Sequence, residues 1–120
     1  MSAFRVTKTA TGLTGLPVSK TPQHTLSVLY GKILNVLDSM PKDAAYRKYT
    51  EEIVKSRAAI VSQAKTSEEI EQKIECGQVE ELIIQADNEL ALARQFARCK
   101  PWEPLMTSAP KDQWVWPHTK

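Results

Sequence analysis

The sequence predicts an all-α fold: an up-down-up three-helix bundle with a short extra helix before the last long helix. Over three long segments, apolar residues recur at intervals of three and four, which places them on one face of a helix. Strand-like alternation of apolar and polar residues is absent from the sequence. Because amphipathic helices joined by short connections bury their apolar faces against one another, a bundle follows.

The first helix is predicted to begin after Thr21, a suitable N-cap, with Pro22 at its first position and Pro41 ending the segment. Its apolar face consists of Leu26, Leu29, Tyr30, Ile33, Leu37 and Met40. Gly31 lies inside this helix, where glycine costs about 1 kcal/mol relative to alanine. It therefore either lets another helix approach closely or is merely tolerated.

The second helix is predicted to have Asp43 as its N-cap and to run to about Lys65. Its predicted apolar face includes Tyr46, Tyr49, Ile53, Ile60 and Ala64, widened by Val54, Ala58 and Val61. Thr66 and Glu69 then have the spacing of a capping box, which predicts the start of the short extra helix.

The last helix has the most regular pattern. Its apolar positions are Val79, Leu82, Ile83, Ala86, Leu90, Ala93 and Ala97. Acidic Glu80 and Glu81 near its start, and basic Arg94 and Arg98 near its end, agree with the direction of the helix dipole. Gly77 is expected to end or bend the chain before this helix.

These patterns divide the chain into an irregular N-terminal arm at 1–20, a helical bundle at 21–99 and an extended C-terminal tail at 100–120. The tail holds four of the seven prolines, which rule out a helix there. It also holds all three tryptophans, Trp102, Trp114 and Trp116. Burying them would stabilise an ordered tail, but ordering its backbone opposes this with a free energy of similar size. We therefore expect another protein to supply part of the surface that the tail needs.

Composition excludes several classes of protein. The net charge of +2 gives no reason to expect a nucleic-acid partner. No apolar run approaches the roughly 20 residues of a transmembrane segment, so the chain is expected to be soluble or peripheral. No acidic residue precedes Asp38, as in mitochondrial presequences, but glycines and Pro17 interrupt any amphipathic helix in this region. Composition alone leaves mitochondrial import open.

No catalytic, cofactor-binding or metal site is recognisable in the sequence. Cys76 and Cys99 are far apart and lack histidines at ligand spacing, so a zinc site is not expected. Reduced thiols, partly buried on helices, are expected, and one disulfide between the two cysteines is the alternative. A group of glutamates lacks the Glu-x-x-His pairs of di-iron bundles and is expected to form a solvated acidic face. Its members are Glu68, Glu69, Glu71, Glu75, Glu80 and Glu81.

Two sets of residues are candidates for a protein interface. Tyr46, Arg47 and Tyr49 form one set, because tyrosine and arginine are enriched among interface anchors. The alternative for both tyrosines is packing in the bundle core with their hydroxyls at the rim. The second set is the three tail residues Trp102, Trp114 and Trp116.

Ser39 suggests a competing function, because Leu37-Asp-Ser-Met40 resembles the motif at which acyl carrier proteins receive phosphopantetheine. Here the serine closes a helix instead of opening one, and the chain is not acidic. An acyl-carrier-like protein is therefore the weaker alternative, behind a small helical adaptor or assembly factor.

Several segments, in order along nearly the whole chain, carry a resemblance to one family. They are TGLTGL at 11–16, LYGKIL at 29–34, PKDAAYRKYTEEI at 41–53, GQVEEL at 77–82, QADNELALAR at 85–94, KPWEPL at 100–105 and DQWVWP at 112–117. Together they resemble the alpha-subcomplex subunit five family of mitochondrial NADH:ubiquinone oxidoreductase, respiratory complex I. The connection at 56–70 departs from the family pattern.

The resemblance implies an accessory subunit without catalytic residues, metal or cofactor. It implies a peripheral position on the matrix side of the mitochondrial inner membrane, on the hydrophilic arm near the quinone module. The implied partners are other complex I subunits, including the thirty-kilodalton core subunit and, as a second candidate, the nucleoside-kinase-like subunit of the membrane arm. Import without removal of a long presequence is also implied.

Overall fold

The fold, seen in a computed structural model that describes residues 8–117, contains four helices. They are α1 (Pro22–Asp38), α2 (Ala45–Gln63), α3 (Ser67–Ile74) and α4 (Val79–Cys99). The described part of the chain contains no strand, and the prediction of an all-α fold is confirmed. Residues 1–7 of the predicted arm and 118–120 of the predicted tail lie outside the described range.

Helix α1 is the centre of the bundle. It packs along both α2 and α4, and the short α3 packs against α2 and α4. The backbones of α2 and α4 stay apart. The core accordingly contains one apolar face of α1, formed by Leu26, Tyr30, Ile33 and Leu37, with α2 and α4 on either side.

The predicted faces of α1 and α4 are confirmed, but that of α2 is confirmed only in part, since Val54, Val61 and Ala64 of the predicted set are buried. Val54 and Val61 are buried as part of the α2 face that meets α1, whereas Tyr49 is 69% exposed and Ile53 is 53% exposed. The apolar pattern of α2 is wide enough to serve two faces. Only one face is covered, because α4 packs on α1 instead of closing over α2.

The start of α2 also differs from the prediction. The N-cap is Ala44, without a side-chain cap, and Asp43 lies one position too early. This occurs because Asp43 is part of a turn in which the amide of Ala44 donates to the carbonyl oxygen of Pro41, at 3.1 Å. By contrast, Thr66 caps α3 as predicted, since its hydroxyl accepts from the amide of Glu69 at 3.2 Å.

The end of α2 is satisfied from a distant part of the chain. Gln23 of α1 donates its side-chain amide to the carbonyl oxygens of Val61 and Ala64, at 2.8 and 3.1 Å. Carbonyls in the last turn of a helix have no partner within that helix. A polar side chain on α1 therefore fixes where α2 ends, in addition to the apolar contacts.

Two glycines have opposite surroundings. Gly31 lies in α1, and no other atom approaches the position that a Cβ would occupy, so within this chain it is tolerated and not required. Gly77 has a positive φ of 94°, and a Cβ there would collide with the carboxylate of Glu81. That carboxylate accepts from the amide of Gln78 at 2.8 Å and so caps α4. Gly77 therefore separates α3 from α4, as predicted.

Gly31→Ala and Gly77→Ala are therefore expected to change stability in opposite directions. The first should raise the free energy of unfolding by about 0.5–1 kcal/mol, because it lowers the entropy of the unfolded chain and meets no clash. The second should lower it by about 1–3 kcal/mol, because alanine is strained at positive φ and displaces the cap. Urea unfolding followed by circular dichroism measures both. A destabilising Gly31→Ala would contradict the open surroundings described for α1.

Candidate functional site

The N-terminal arm is held against the start of α4 by a polar cluster. The ammonium group of Lys8 donates to the carboxylate of Glu80 and to the side-chain oxygen of Gln78 at 2.9 Å, and lies 3.5 Å from Glu71. The backbone amide of Ser19 donates to Glu80 as well, at 3.2 Å. All these contacts join residues that are far apart in sequence, so no local pattern could reveal them.

This cluster corrects the expectation of a solvated acidic face for Glu80 and Glu71, whereas Glu68 and Glu75 are exposed as expected. Glu80 is 3% exposed, and the side chain of Glu71 is about three-quarters covered. A buried carboxylate is tolerated when a cation and hydrogen-bond donors surround it. The arm supplies both, and the N-terminus of α4 favours negative charge. Because its groups are paired within the chain, we assign the cluster a structural role.

Two of the predicted interface residues, Tyr46 and Arg47, have their contacts inside the bundle. The hydroxyl of Tyr46 donates to Glu89, and its ring meets Phe96 edge to face, with centroids 4.7 Å apart. Burial raises the pKa of Tyr46, and the hydrogen bond to Glu89 raises it further. These contacts match the alternative of core packing with the hydroxyl at the rim.

Arg47 likewise has partners within the chain. Its guanidinium donates to the carbonyl oxygen of Met40 just after α1, and it pairs with Glu51 at 3.3 Å and Asp38 at 3.6 Å. Its side chain is only 11% exposed. Arg47 therefore links the end of α1 to the first turns of α2.

The remaining candidate interface residues are divided between the core and the surface. Trp102 is half-buried and packs against the core where the tail leaves α4. In contrast, Trp114 and Trp116 are 85% and 86% exposed, and Tyr49 is exposed on α2. Leu105 and Met106, which sequence reasoning missed, are also exposed tail residues. With Val115, the described part of the tail thus places five large apolar side chains on the surface.

A groove of about 470 Å³ lies between α2 and α4, with α1 as its floor. Side-chain hydrogen bonds bridge it. The Tyr46 hydroxyl donates to Glu89, and the Arg57 guanidinium donates to Gln85 at 3.2 Å. The lining residues are Tyr30, Ile33, Thr50, Ile53, Val54, Arg57, Gln85, Ala86, Asn88, Glu89 and Leu92. Sequence reasoning missed this groove because it assumed that α2 and α4 would close on one another.

The metal-ligating and nucleophilic side chains of residues 8–117 are scattered. In that range no three histidine, cysteine, aspartate or glutamate side chains are grouped to hold a metal ion. Cys76, in the bend before α4, and Cys99, at the end of α4, are both free thiols. Ser39 follows α1, where its hydroxyl donates to the carbonyl oxygen of Val36 at 2.6 Å.

None of the helices in the described range is both long enough and apolar enough to cross a bilayer. The features that stand out in this structure are surfaces: an apolar tail, an exposed apolar face of α2 and an open groove. Together with the fold, they define a helical protein whose candidate functional features are interaction surfaces.

Comparison with known proteins gives the family. The conserved region described as "ETC complex I subunit conserved region" matches residues 15–81. The chain is 49% identical to NADH dehydrogenase (ubiquinone) 1 alpha subcomplex subunit 5 of Bos taurus, over 92% of this chain and 95% of that protein. It is 51% identical to the probable subunit 5 of Caenorhabditis elegans, over 92% of this chain and 73% of that protein. The chain belongs to the alpha subcomplex subunit 5 family of respiratory complex I.

The contact between Lys8 and Glu80 can be tested by a double-mutant cycle. Lys8→Met alone is expected to lower the free energy of unfolding by about 1–3 kcal/mol, because it leaves a buried carboxylate without its cation. Adding Glu80→Gln to Lys8→Met should recover part of that loss. The coupling energy from urea unfolding measures the interaction. Strictly additive effects would show that the arm does not hold Glu80.

The raised pKa of Tyr46 predicts how stability falls in alkali. The folded state binds the phenolic proton more tightly than the unfolded state does. The contribution of Tyr46 to the free energy of unfolding is therefore fully present below the ordinary tyrosine pKa of 10.0 and decreases as the pH rises above it. Tyr46→Phe should lower the free energy of unfolding at pH 7 by about 1 kcal/mol through loss of a hydrogen bond. It should also make the decrease of the free energy of unfolding in alkali shallower. The decrease that remains comes from Tyr30, because burial raises the pKa of that residue as well. Urea unfolding at pH 7 to 11 measures both effects, and an unchanged slope would contradict them.

Proposed function

We propose that this chain is a non-catalytic accessory subunit of mitochondrial respiratory complex I that supports assembly and stability of the machinery for electron transfer from NADH to ubiquinone. Membership of the alpha subcomplex subunit 5 family supports this proposal directly. A relative from Arabidopsis thaliana, 37% identical over 79% of this chain and 56% of that protein, carries the word mitochondrial in its name. We place the chain on the matrix side, peripheral to the inner membrane.

We further propose that the chain lies on the hydrophilic arm near the quinone module. Its partners there are other complex I subunits, with the thirty-kilodalton core subunit as the first candidate and the nucleoside-kinase-like subunit as the second. The family resemblance of the sequence supports this placement. An accessory subunit in such a position acts by holding neighbouring subunits together.

The observation that carries the proposed role is the exposed tail. The structure measures 68 × 32 × 21 Å, and its radius of gyration of 19.3 Å exceeds the roughly 14 Å of a compact chain of this length. Leu105, Met106, Trp114 and Trp116 are all exposed along the tail. Large apolar side chains grouped on a surface mark protein interaction sites. The tail therefore has the properties of a segment that is covered by neighbouring subunits.

A chain that ends after Glu103 tests this role while keeping Trp102 on the core. It should retain its helical content by circular dichroism, because the described residues that it removes are exposed and lie outside the helices. Its incorporation into complex I, measured on native gels after expression in cells that lack the endogenous chain, should fall at least tenfold. The double variant Trp114→Ser/Trp116→Ser should show the same loss.

Leu13→Ser is the matched control, since Leu13 is an exposed apolar residue outside the tail. It should be incorporated normally. Normal incorporation of both tail variants would refute the role assigned to the tail. Recovery of the wild-type chain in equal amount with the purified complex separates a resident subunit from an assembly factor that leaves.

A further inference from the structure

The groove between α2 and α4 contains a buried hydroxyl group whose proton has no acceptor among residues 8–117. Tyr30 of α1 is 2% exposed, and within the described chain its hydroxyl proton has no acceptor. Burying a hydroxyl without a hydrogen bond is unfavourable, and most such groups in folded proteins are paired. Because Tyr30 lines the groove, an occupant of the groove is the natural source of the missing acceptor.

A cation lies beside this hydroxyl. Arg57 and Tyr30 both line the groove, and burial raises the pKa of Tyr30, whereas the charge of Arg57 and the approach of its guanidinium to the hydroxyl oxygen oppose that rise. The Arg57 guanidinium donates to Gln85 at 3.2 Å and to the sulfur of Cys76 at 3.4 Å, but pairs with no carboxylate of residues 8–117. Glu89, the carboxylate that lines the groove, already accepts from Tyr46. The centre of the groove thus offers two kinds of donor to an anionic acceptor.

The surroundings of these donors are apolar and extend along α2. Ile53 and Leu92, on opposite walls of the groove, are 53% and 41% exposed. A second groove of about 420 Å³ borders α2, shares Ile53 and Arg57 with the first, and includes Tyr49. A small carboxylic acid would cover the donors but leave this long apolar surface in water. A polypeptide segment covers both.

The length of the groove indicates which kind of segment. Its lining runs from Thr50 to Arg57 on α2, seven residues apart, which corresponds to about 10 Å, or two turns of helix. The floor and both walls are helices, and helices pack into grooves between other helices through an apolar stripe. A helix that lays about two turns along the groove matches these dimensions.

We propose that the groove between α2 and α4 is the docking site for an amphipathic helix of another complex I subunit, whose apolar face carries one aspartate or glutamate that accepts hydrogen bonds from Tyr30 and Arg57. This inference rests on the proposed function, since the partner belongs to the complex. The docked helix covers Ile53 and Leu92 and supplies the acceptor that the free chain lacks.

Tyr30→Phe distinguishes this role from a structural one. In the free chain its thermal midpoint should be unchanged or higher, because the variant removes a buried hydroxyl whose proton has no acceptor. After complex I is washed with salt and mild detergent, the fraction of the Tyr30→Phe chain that stays bound should be about tenfold lower than that of the wild type. A lowered midpoint in the free chain, or unchanged retention, would overturn the assignment of the hydroxyl.

Arg57→Gln tests the cation, and Lys48→Gln is its matched control. Lys48 is an exposed residue of α2, nine positions before Arg57 and therefore about 180° around the helix. Retention of Arg57→Gln should fall about tenfold or more, whereas Lys48→Gln should be retained like the wild type. Equal retention of the two variants would contradict the proposal.

A photoreactive residue identifies the occupant. p-Benzoylphenylalanine at Leu92, on the groove wall, should cross-link in assembled complex I to a helical segment of another subunit that contains an acidic residue among apolar ones. Arg57→Gln should weaken that cross-link. The same probe at Val28, an exposed α1 residue outside the groove, should not capture this segment. Capture of this chain's own tail, of a second copy or of a segment without an acidic residue would overturn the proposal.

Failure of this inference can be told apart from failure of the proposed function. If the wild-type chain does not copurify with complex I, the proposed function is wrong, and the groove proposal falls with it. If the wild type copurifies but the Tyr30 and Arg57 variants are retained equally well, only the groove proposal is wrong.

Discussion

The structure depends on the burial of one face of α1 between two other helices. Leu26, Tyr30, Ile33 and Leu37 form the floor on which both α2 and α4 pack. Burying a large apolar side chain stabilises a fold by about 1.5–3 kcal/mol, so these four positions are a major source of stability. With α1 between them, the backbones of α2 and α4 stay apart, and the two helices contact each other through side chains.

The exposed surfaces follow from this arrangement. The open side of the bundle is the groove, whose walls are joined by side chains such as Tyr46 and Arg57 instead of by close helix packing. The same arrangement leaves Tyr49 and Ile53 of α2 exposed. The groove and the exposed face of α2, to which we assign partner binding, are therefore consequences of the packing of α1, whereas the exposed tail is a separate surface.

Polar contacts between distant residues fix the details that apolar packing leaves free. Gln23 satisfies the end of α2, Arg47 satisfies the end of α1, and Lys8 holds the arm on the start of α4. Hydrogen bonds of this kind stabilise little on net, but a buried group without its partner is costly. These contacts determine where helices end and how the arm lies, in a chain small enough that its core alone is of limited size.

The sequence by itself determined the helical class, the face of α1 and the cap of α3. Each of these depends on residues within a few positions of one another, as in the spacing of Val79, Leu82 and Ala86 along α4 or the pair Thr66 and Glu69. Several different motifs along the chain also indicated its family, which the comparisons then established.

Only the tertiary structure decided which face of α2 is buried, that Glu80 is covered, and that Tyr46 and Arg47 have partners inside the bundle. It also decided that the tyrosine hydroxyl on the groove floor has no acceptor within the described chain. The physical reason is that a wide apolar stripe or a polar side chain allows several partners. The choice between them is made by groups tens of residues away, whose positions depend on how the helices pack.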